Sequence, residues 1–134
     1  MPLKLATLKR HEDVLAERLN DPAFREEWER LALARTVATR IAAYRTVHDL
    51  TQAQLAALLG MHQSAIARLE AGEHNPTVDM LYRLSGRLGI EFVIDIAPPN
   101  RRAPSLIRRG AEKTAGVAEH FTTESGSRVL VAAT

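Results

Sequence analysis

Residues 50–76 read LTQAQLAALLGMHQSAIARLEAGEHNP, and the reading of this run decides the fold. Two short helical periods flank a break centred on Gly60, between Leu59 and Met61. Glycine suits the left-handed backbone that a tight turn after a helix requires. Leu55 and Leu58 on the first helix meet Ile66 and Leu69 on the second in a shared core. Ala56 is small where the two helices must approach closely. Thr51 is a good N-cap for the first helix. If Ile66 and Leu69 point inward at about 100° per residue, Ser64, Ala67, Arg68 and Ala71 point outward. Gln63 then lies on the flank of the first turn.

The run predicts helices over residues 51–59 and 62–71, and the pattern continues beyond it. Asn75-Pro76-Thr77 ends a loop and caps a third helix over 77–88, which Gly89 terminates. Leu55, Leu58, Ile66, Leu69, Leu81, Leu84 and Leu88 read as core. After Gly89 the period changes from helical to two. Ile90, Phe92, Ile94 and Ile96 alternate with Glu91, Val93 and Asp95, the pattern of a half-buried strand. A lone strand cannot satisfy its own backbone and needs a partner. The preferred partner is the same strand of a second copy; the alternative is the tail segment Arg128-Val129-Leu130-Val131.

Upstream, Leu5, Leu8, Leu15 and Leu19 lie near helical spacing and predict a first helix over about 5–19. Asn20-Asp21-Pro22 stops it and starts another, with Asp21 as cap and Pro22 in the first helical position. From Ala23 to His48 there is neither Gly nor Pro, so this stretch is one long helix or two with a bend. Downstream, Pro98-Pro99-Asn100-Arg101-Arg102-Ala103-Pro104 reads as a linker, and the tail beyond it is rich in Ser, Thr, Gly and Ala.

Bulk properties exclude several classes. The chain has 134 residues, 46% of them apolar, and no apolar run approaches the ~20 residues of a membrane span. The start shows no leader pattern, and the absence of cysteine removes disulfides, thiolate metal sites and a Cys nucleophile together. A cytoplasmic location follows. The five histidines form no i,i+4 ligand pair, and no Gly-rich phosphate loop or nucleophile elbow is present. Neither enzymatic activity, a metal nor a cofactor is expected. The net charge of +2 is too small to imply nucleic acid by itself, since residues 34–97 carry six basic against six acidic groups. A nucleic-acid reading must rest on the motif.

Two helices joined in this way form a helix-turn-helix, which places its second helix in the DNA major groove. A groove-reading helix needs a face that is short near the axis, polar at its N-terminal end, and armed with one long donor a turn later. Gln63 suits an adenine edge, Arg68 a guanine edge or phosphate, Ala67 a thymine methyl, and Ser64 a phosphate or base. Gln52, beside exposed N–H groups at the start of the preceding helix, suits a phosphate. Arg45 reads equally as a phosphate contact or as surface charge. Glu70 reads as a structural ion-pair partner, because a carboxylate near phosphate is repelled.

Taken in order, Thr51-Gln52-x-x-Leu55-Ala56-x-x-x-Gly60, Gln63-Ser64-Ala65-Ile66-x-Arg68-Leu69-Glu70-x-Gly72 and Asn75-Pro76-Thr77-x-x-x-Leu81 resemble the Cro/lambda-repressor-type (XRE) family. The resemblance covers about residues 34–89. It implies a bundle of about five helices that dimerises on palindromic operators, with Gln52 on phosphate and Gln63, Ser64 and Arg68 on bases or backbone. His62 departs from the family's Ser or Thr cap and brings a titratable group near the DNA. The leading helix, the Asn20–Phe24 junction and the strand after Gly89 further resemble HigA-type antitoxins. That likeness implies autoregulation of an operon and a HigB/RelE-like mRNA-cleaving toxin as partner; a stand-alone regulator is the alternative.

The expected fold is therefore an all-α, lambda-repressor-like bundle with an extra N-terminal helix and one short C-terminal strand pairing in a dimer. Its expected parts are a helical extension over 1–33, the DNA-binding domain over 34–97, and a linker with a basic tail over 98–134. Thr51, Gln52, His62, Gln63, Ser64, Ala67 and Arg68 are the expected DNA-binding residues. Ile90, Phe92, Ile94 and Ile96 are the expected dimer contacts, and Phe24 with Trp28 the expected toxin contacts.

Overall fold

The computed structural model describes residues 10–99, 117–123 and 125–134. The chain divides into two compact units, Met1–Arg30 and Leu31–Thr134. In the first, α1 spans His11–Arg18 and α2 spans Pro22–Arg30. The junction follows the capping chemistry expected of it: Asp21 Oδ1 accepts the Ala23 N–H at 3.1 Å, and Pro22 opens α2. The predicted start of the first helix at Leu5 lies outside the described residues.

The second unit begins with α3 (Ala32–His48), so the stretch from Ala23 to His48 is two helices, interrupted at Leu31 (φ −96°, ψ 14°). Leu31 has no side-chain acceptor to cap α3. Asn75 takes over this role from 41 residues away, its Oδ1 accepting the Ala34 N–H at 3.1 Å. Next come α4 (Gln52–Leu59), α5 (Gln63–Ala71) and α6 (Val78–Leu88). Each ends in a left-handed glycine, Gly60, Gly72 and Gly89, where a Cβ would be strained. Gly72 also lies close to α3, its missing Cβ position 3.6 Å from the Ala38 methyl.

These helices close on one core of Val37, Ile41, Leu55, Ala56, Leu59, Ile66, Leu81 and Leu84, with Leu69, Leu88 and Phe92 packed at its margin. Leu58 is a correction: expected in the core, it is 50% exposed. The buried stripe of α4 is Leu55, Ala56 and Leu59, and at ~100° per residue Leu58 falls well to one side of that stripe.

The chain then becomes a sheet. Strands β1 (Phe92–Ala97), β2 (Val117–Thr122) and β3 (Arg128–Ala133) lie in the order β1-β3-β2. Here the preferred expectation, a partner strand from a second copy, gives way to the alternative, the tail segment around Arg128–Val131. β1 runs antiparallel to β3 of its own chain, with Ile94 opposite Val131 and Ile96 opposite Val129. The reason lies in the tail: Arg128–Ala133 is a six-residue, mostly apolar strand that pairs one edge of β1 without a second copy. Glu91 and Thr134 extend the ladder through reciprocal bonds of 3.2 and 2.9 Å. The stretch read as linker and tail thus supplies two strands, while residues 100–116 lie outside the described ones.

α3 lies against β3 and β2. There Glu119 accepts from Arg35 Nε and Nη2, both at 3.1 Å, and from the fully buried Thr36 hydroxyl at 3.4 Å. Opposed residues of a sheet share a face, so the row Ile94–Val131–Glu119 faces the α3 side. Val131 is buried there, whereas Ile94 and Ile96 on the outer strand stay exposed.

Val131→Asp places an unpaired charge under α3 and should destabilise the second unit by on the order of 3 kcal/mol. Thermal unfolding measures this; an unchanged midpoint would show that β3 does not pair as described.

Candidate nucleic-acid interface

α4 starts at a complete capping box. Gln54 N–H donates to Thr51 Oγ1 at 3.1 Å, and Thr51 N–H donates to Gln54 Oε1 at 2.9 Å. Thr51 is exposed, and its hydroxyl proton is still free to donate. His62 holds the N-cap of α5 in extended backbone (φ −75°, ψ 147°) and supplies no side-chain bond. The Ser or Thr function at this position is absent, and the imidazole is exposed instead.

Along α5, Gln63, Ser64 and Arg68 are exposed, Ala67 is half-buried, and Ile66 is fully buried. The side chains of Gln63, Ser64 and Arg68 make no hydrogen bond or ion pair to another described residue. The face expected to read bases is thus open, with short polar groups at its N-terminal end and one guanidinium a turn later.

Behind that face is a polar cluster joining three helices. Arg45 of α3 donates from Nε and Nη2 to the two carboxylate oxygens of Glu70 on α5, the second bond at 2.9 Å. Its Nη1 donates to the Leu50 carbonyl at 3.1 Å. Gln52 of α4 donates from Nε2 to Glu70 Oε2 at 2.9 Å. Arg45 is therefore an internal tie, and Glu70 has the structural role expected of it. Gln52 is half-buried, with one amide N–H engaged and the other available to a phosphate. The hydrogen bonds from Arg45 hold the Glu70 carboxyl below its ordinary pKa against the opposing effect of burial, and Gln52 adds to the lowering. The same pairing raises the Arg45 guanidinium above its usual value.

The sequence pattern over 41–94 matches the helix-turn-helix family model. An uncharacterized HTH-type transcriptional regulator, y4dJ, of Sinorhizobium fredii is 35% identical over 66 residues, which are 49% of this chain and 86% of that protein. This chain belongs to the helix-turn-helix transcription regulators. The regulator acts on DNA, and the family match runs from within α3, through α4, α5 and α6, into β1. No solved structure matches it significantly. No helix among the described residues is long and apolar enough to cross a membrane.

The remaining expected contacts are dispersed. Of the four strand residues, Ile90 is fully buried and Phe92 packs against the helical core, leaving Ile94 and Ile96 at the surface. In the first unit Phe24 and Trp28 stack at 6.1 Å between centroids, and the Arg18 guanidinium lies 5.8 Å from the Phe24 ring centre. Sequence reading missed the reach of Asn75 to α3 and the Glu119 contacts, since neither has a local signature. It also missed Val78 and Tyr82, exposed one turn apart on α6.

Glu70→Gln should lower stability by about 2 kcal/mol at neutral pH, because a charge-assisted interaction is replaced by a neutral one. A depressed carboxyl pKa stabilises the fold fully above the unfolded value of about 4.3 and loses that contribution as pH falls through the folded value. The gap between wild type and variant should accordingly close on acidification. Denaturant melts across the acid range decide it, and a gap constant with pH would contradict the pairing.

Proposed function

We propose that the regulator is a dimeric, sequence-specific repressor that inserts α5 of each copy into successive major-groove faces of a palindromic operator, roughly 34 Å apart. The open face of Gln63, Ser64 and Arg68 carries this reading, because the neighbouring polar groups Arg45, Gln52 and Glu70 are bound to one another. In this reading Gln63 and Arg68 recognise bases, Ala67 meets a thymine methyl, Ser64 contacts base or phosphate, and Thr51, Gln52 and His62 hold the backbone. The exposed Ile94 and Ile96 on the outer strand support a second copy docking there.

The regulator is further proposed to be the antitoxin of a HigB/RelE-like toxin, repressing the operon that encodes both. The likeness of its leading helices to HigA-type antitoxins supports this, as does the separate unit bearing Phe24 and Trp28. Half of the chain lies outside its alignment with y4dJ, which leaves ample sequence for a second task.

Gln63→Ala with Arg68→Ala should reduce operator affinity about 100-fold or more while leaving the helical melt unchanged, since both side chains are exposed. An unchanged footprint would remove α5 as the reading helix. For the antitoxin role, the product of the adjacent reading frame should arrest growth alone and be neutralised by coexpression. Trp28→Ala should weaken that complex about 30-fold without altering DNA binding. A harmless neighbour would leave a stand-alone regulator.

A further inference from the structure

Between α5 and the segment leading into α6 lies a pocket of about 320 Å³. Met61, Ala65, Leu69 and Met80 form its apolar part, and Arg68 and His74 bring basic groups to it. No carboxylate lines it; Glu73 and Asp79 adjoin lining residues in the chain but are not part of the wall. The volume lies at the small end of the range for organic ligands, and most of the lining is apolar. Two methionines give that lining an adaptable, polarizable surface.

We infer that this pocket binds a small organic carboxylate with an apolar body and that the bound molecule regulates DNA reading. The chemistry follows from the walls. An inorganic anion would leave the methionine and leucine surface wet, and an amine would be repelled by Arg68. A neutral hydrocarbon would leave the guanidinium, which has no partner among the described residues, without one. A carboxylate on an aryl or short alkyl body satisfies both halves, with its oxygens on the Arg68 fork and its body on Met61 and Met80.

The regulatory part rests on the proposed reading of DNA by α5. Arg68 belongs to both surfaces, so a carboxylate that engages it withdraws a base or phosphate contact from the operator. The occupied pocket and bound DNA then oppose each other, and by linkage each weakens the other equally.

The chain has three methionines, and two of them, Met61 and Met80, line the pocket. Carbon-13 labelling of the methionine methyls in the full chain therefore reads occupancy directly, with an added inert compound as shift standard. Titration with 4-phenylbutyrate should shift the Met61 and Met80 signals saturably in the millimolar range. The uncharged 4-phenylbutyramide should bind about tenfold more weakly or worse. Arg68→Ala, an exposed substitution that spares the core, should abolish the difference between the two compounds. Equal binding of acid and amide, or the absence of a saturable shift at Met61 and Met80, would overturn the site.

A second measurement addresses the coupling. The acid, and not the amide, should weaken wild-type binding to duplex DNA from the chain's own upstream region. Methyl shifts without any loss of DNA affinity would overturn the regulation. Failure to bind that DNA even without ligand would instead refute the reading of α5, leaving the methyl titration to decide the pocket.

Discussion

The constraint on which the second unit depends is the tie of Glu70 to Arg45 and Gln52. An isolated helix of eight or nine residues is unstable in water, so α4 and α5 exist only through their packing. Apolar burial of Leu55, Leu59 and Ile66 draws them together, but it is non-directional and sets no angle. The carboxylate supplies direction. It accepts from α3 and α4 at once, and the Arg45 fork also reaches the Leu50 carbonyl in the connection between those helices. Three helices and one turn are thereby held in a single geometry, and the outer face of α5 is aimed as a consequence.

Most of this unit was legible because its determinants are local. Thr51, Thr77 and Gly60 act within a few residues of their own positions, and the helices begin and end within one residue of the expected bounds. Leu58 was misread because two leucines three apart suggest a stripe, while the real one passes through Leu55, Ala56 and Leu59. The partner of β1 was ranked wrongly for a different reason. Strand pairing is a long-range choice that alternation does not encode, and the register of Ile94 with Val131 spans a stretch with no readable pattern. Asn75 shows the same limit, since its bond to Ala34 joins sites that sequence reading treats as unrelated. Among the proposed reading residues, exposure was predictable from helical period, whereas the engagement of Gln52 by Glu70 was not.

The sheet changes the meaning of the exposed isoleucines. With β3 on one side, β1 is an edge strand among the described residues, and its other edge has no partner among them. An apolar, unguarded edge is a place where another strand adds readily. Pairing within the chain and docking of a second copy are therefore compatible, because they use opposite edges of the same strand. Phe92 ties that strand to the helical core, so a copy docked at β1 would be held in a defined relation to α5.

Charge accounting points the same way. Residues 34–97 contain six arginines, and two of them, Arg35 and Arg45, are spent on Glu119 and Glu70. Nonspecific affinity for DNA grows with the number of phosphates a protein neutralises, so internal ion pairs lower it directly. Among the described residues of 34–97 this leaves four arginines, Arg40, Arg68, Arg83 and Arg87, outside those two pairs. On the proposed reading, affinity would then draw on base contacts and on joining two copies on one site, where the second half-site is bound at high effective concentration. On the proposed reading this gives Arg68 added weight, because with four such arginines occupying one of them would alter binding in a way that a broad basic surface would absorb.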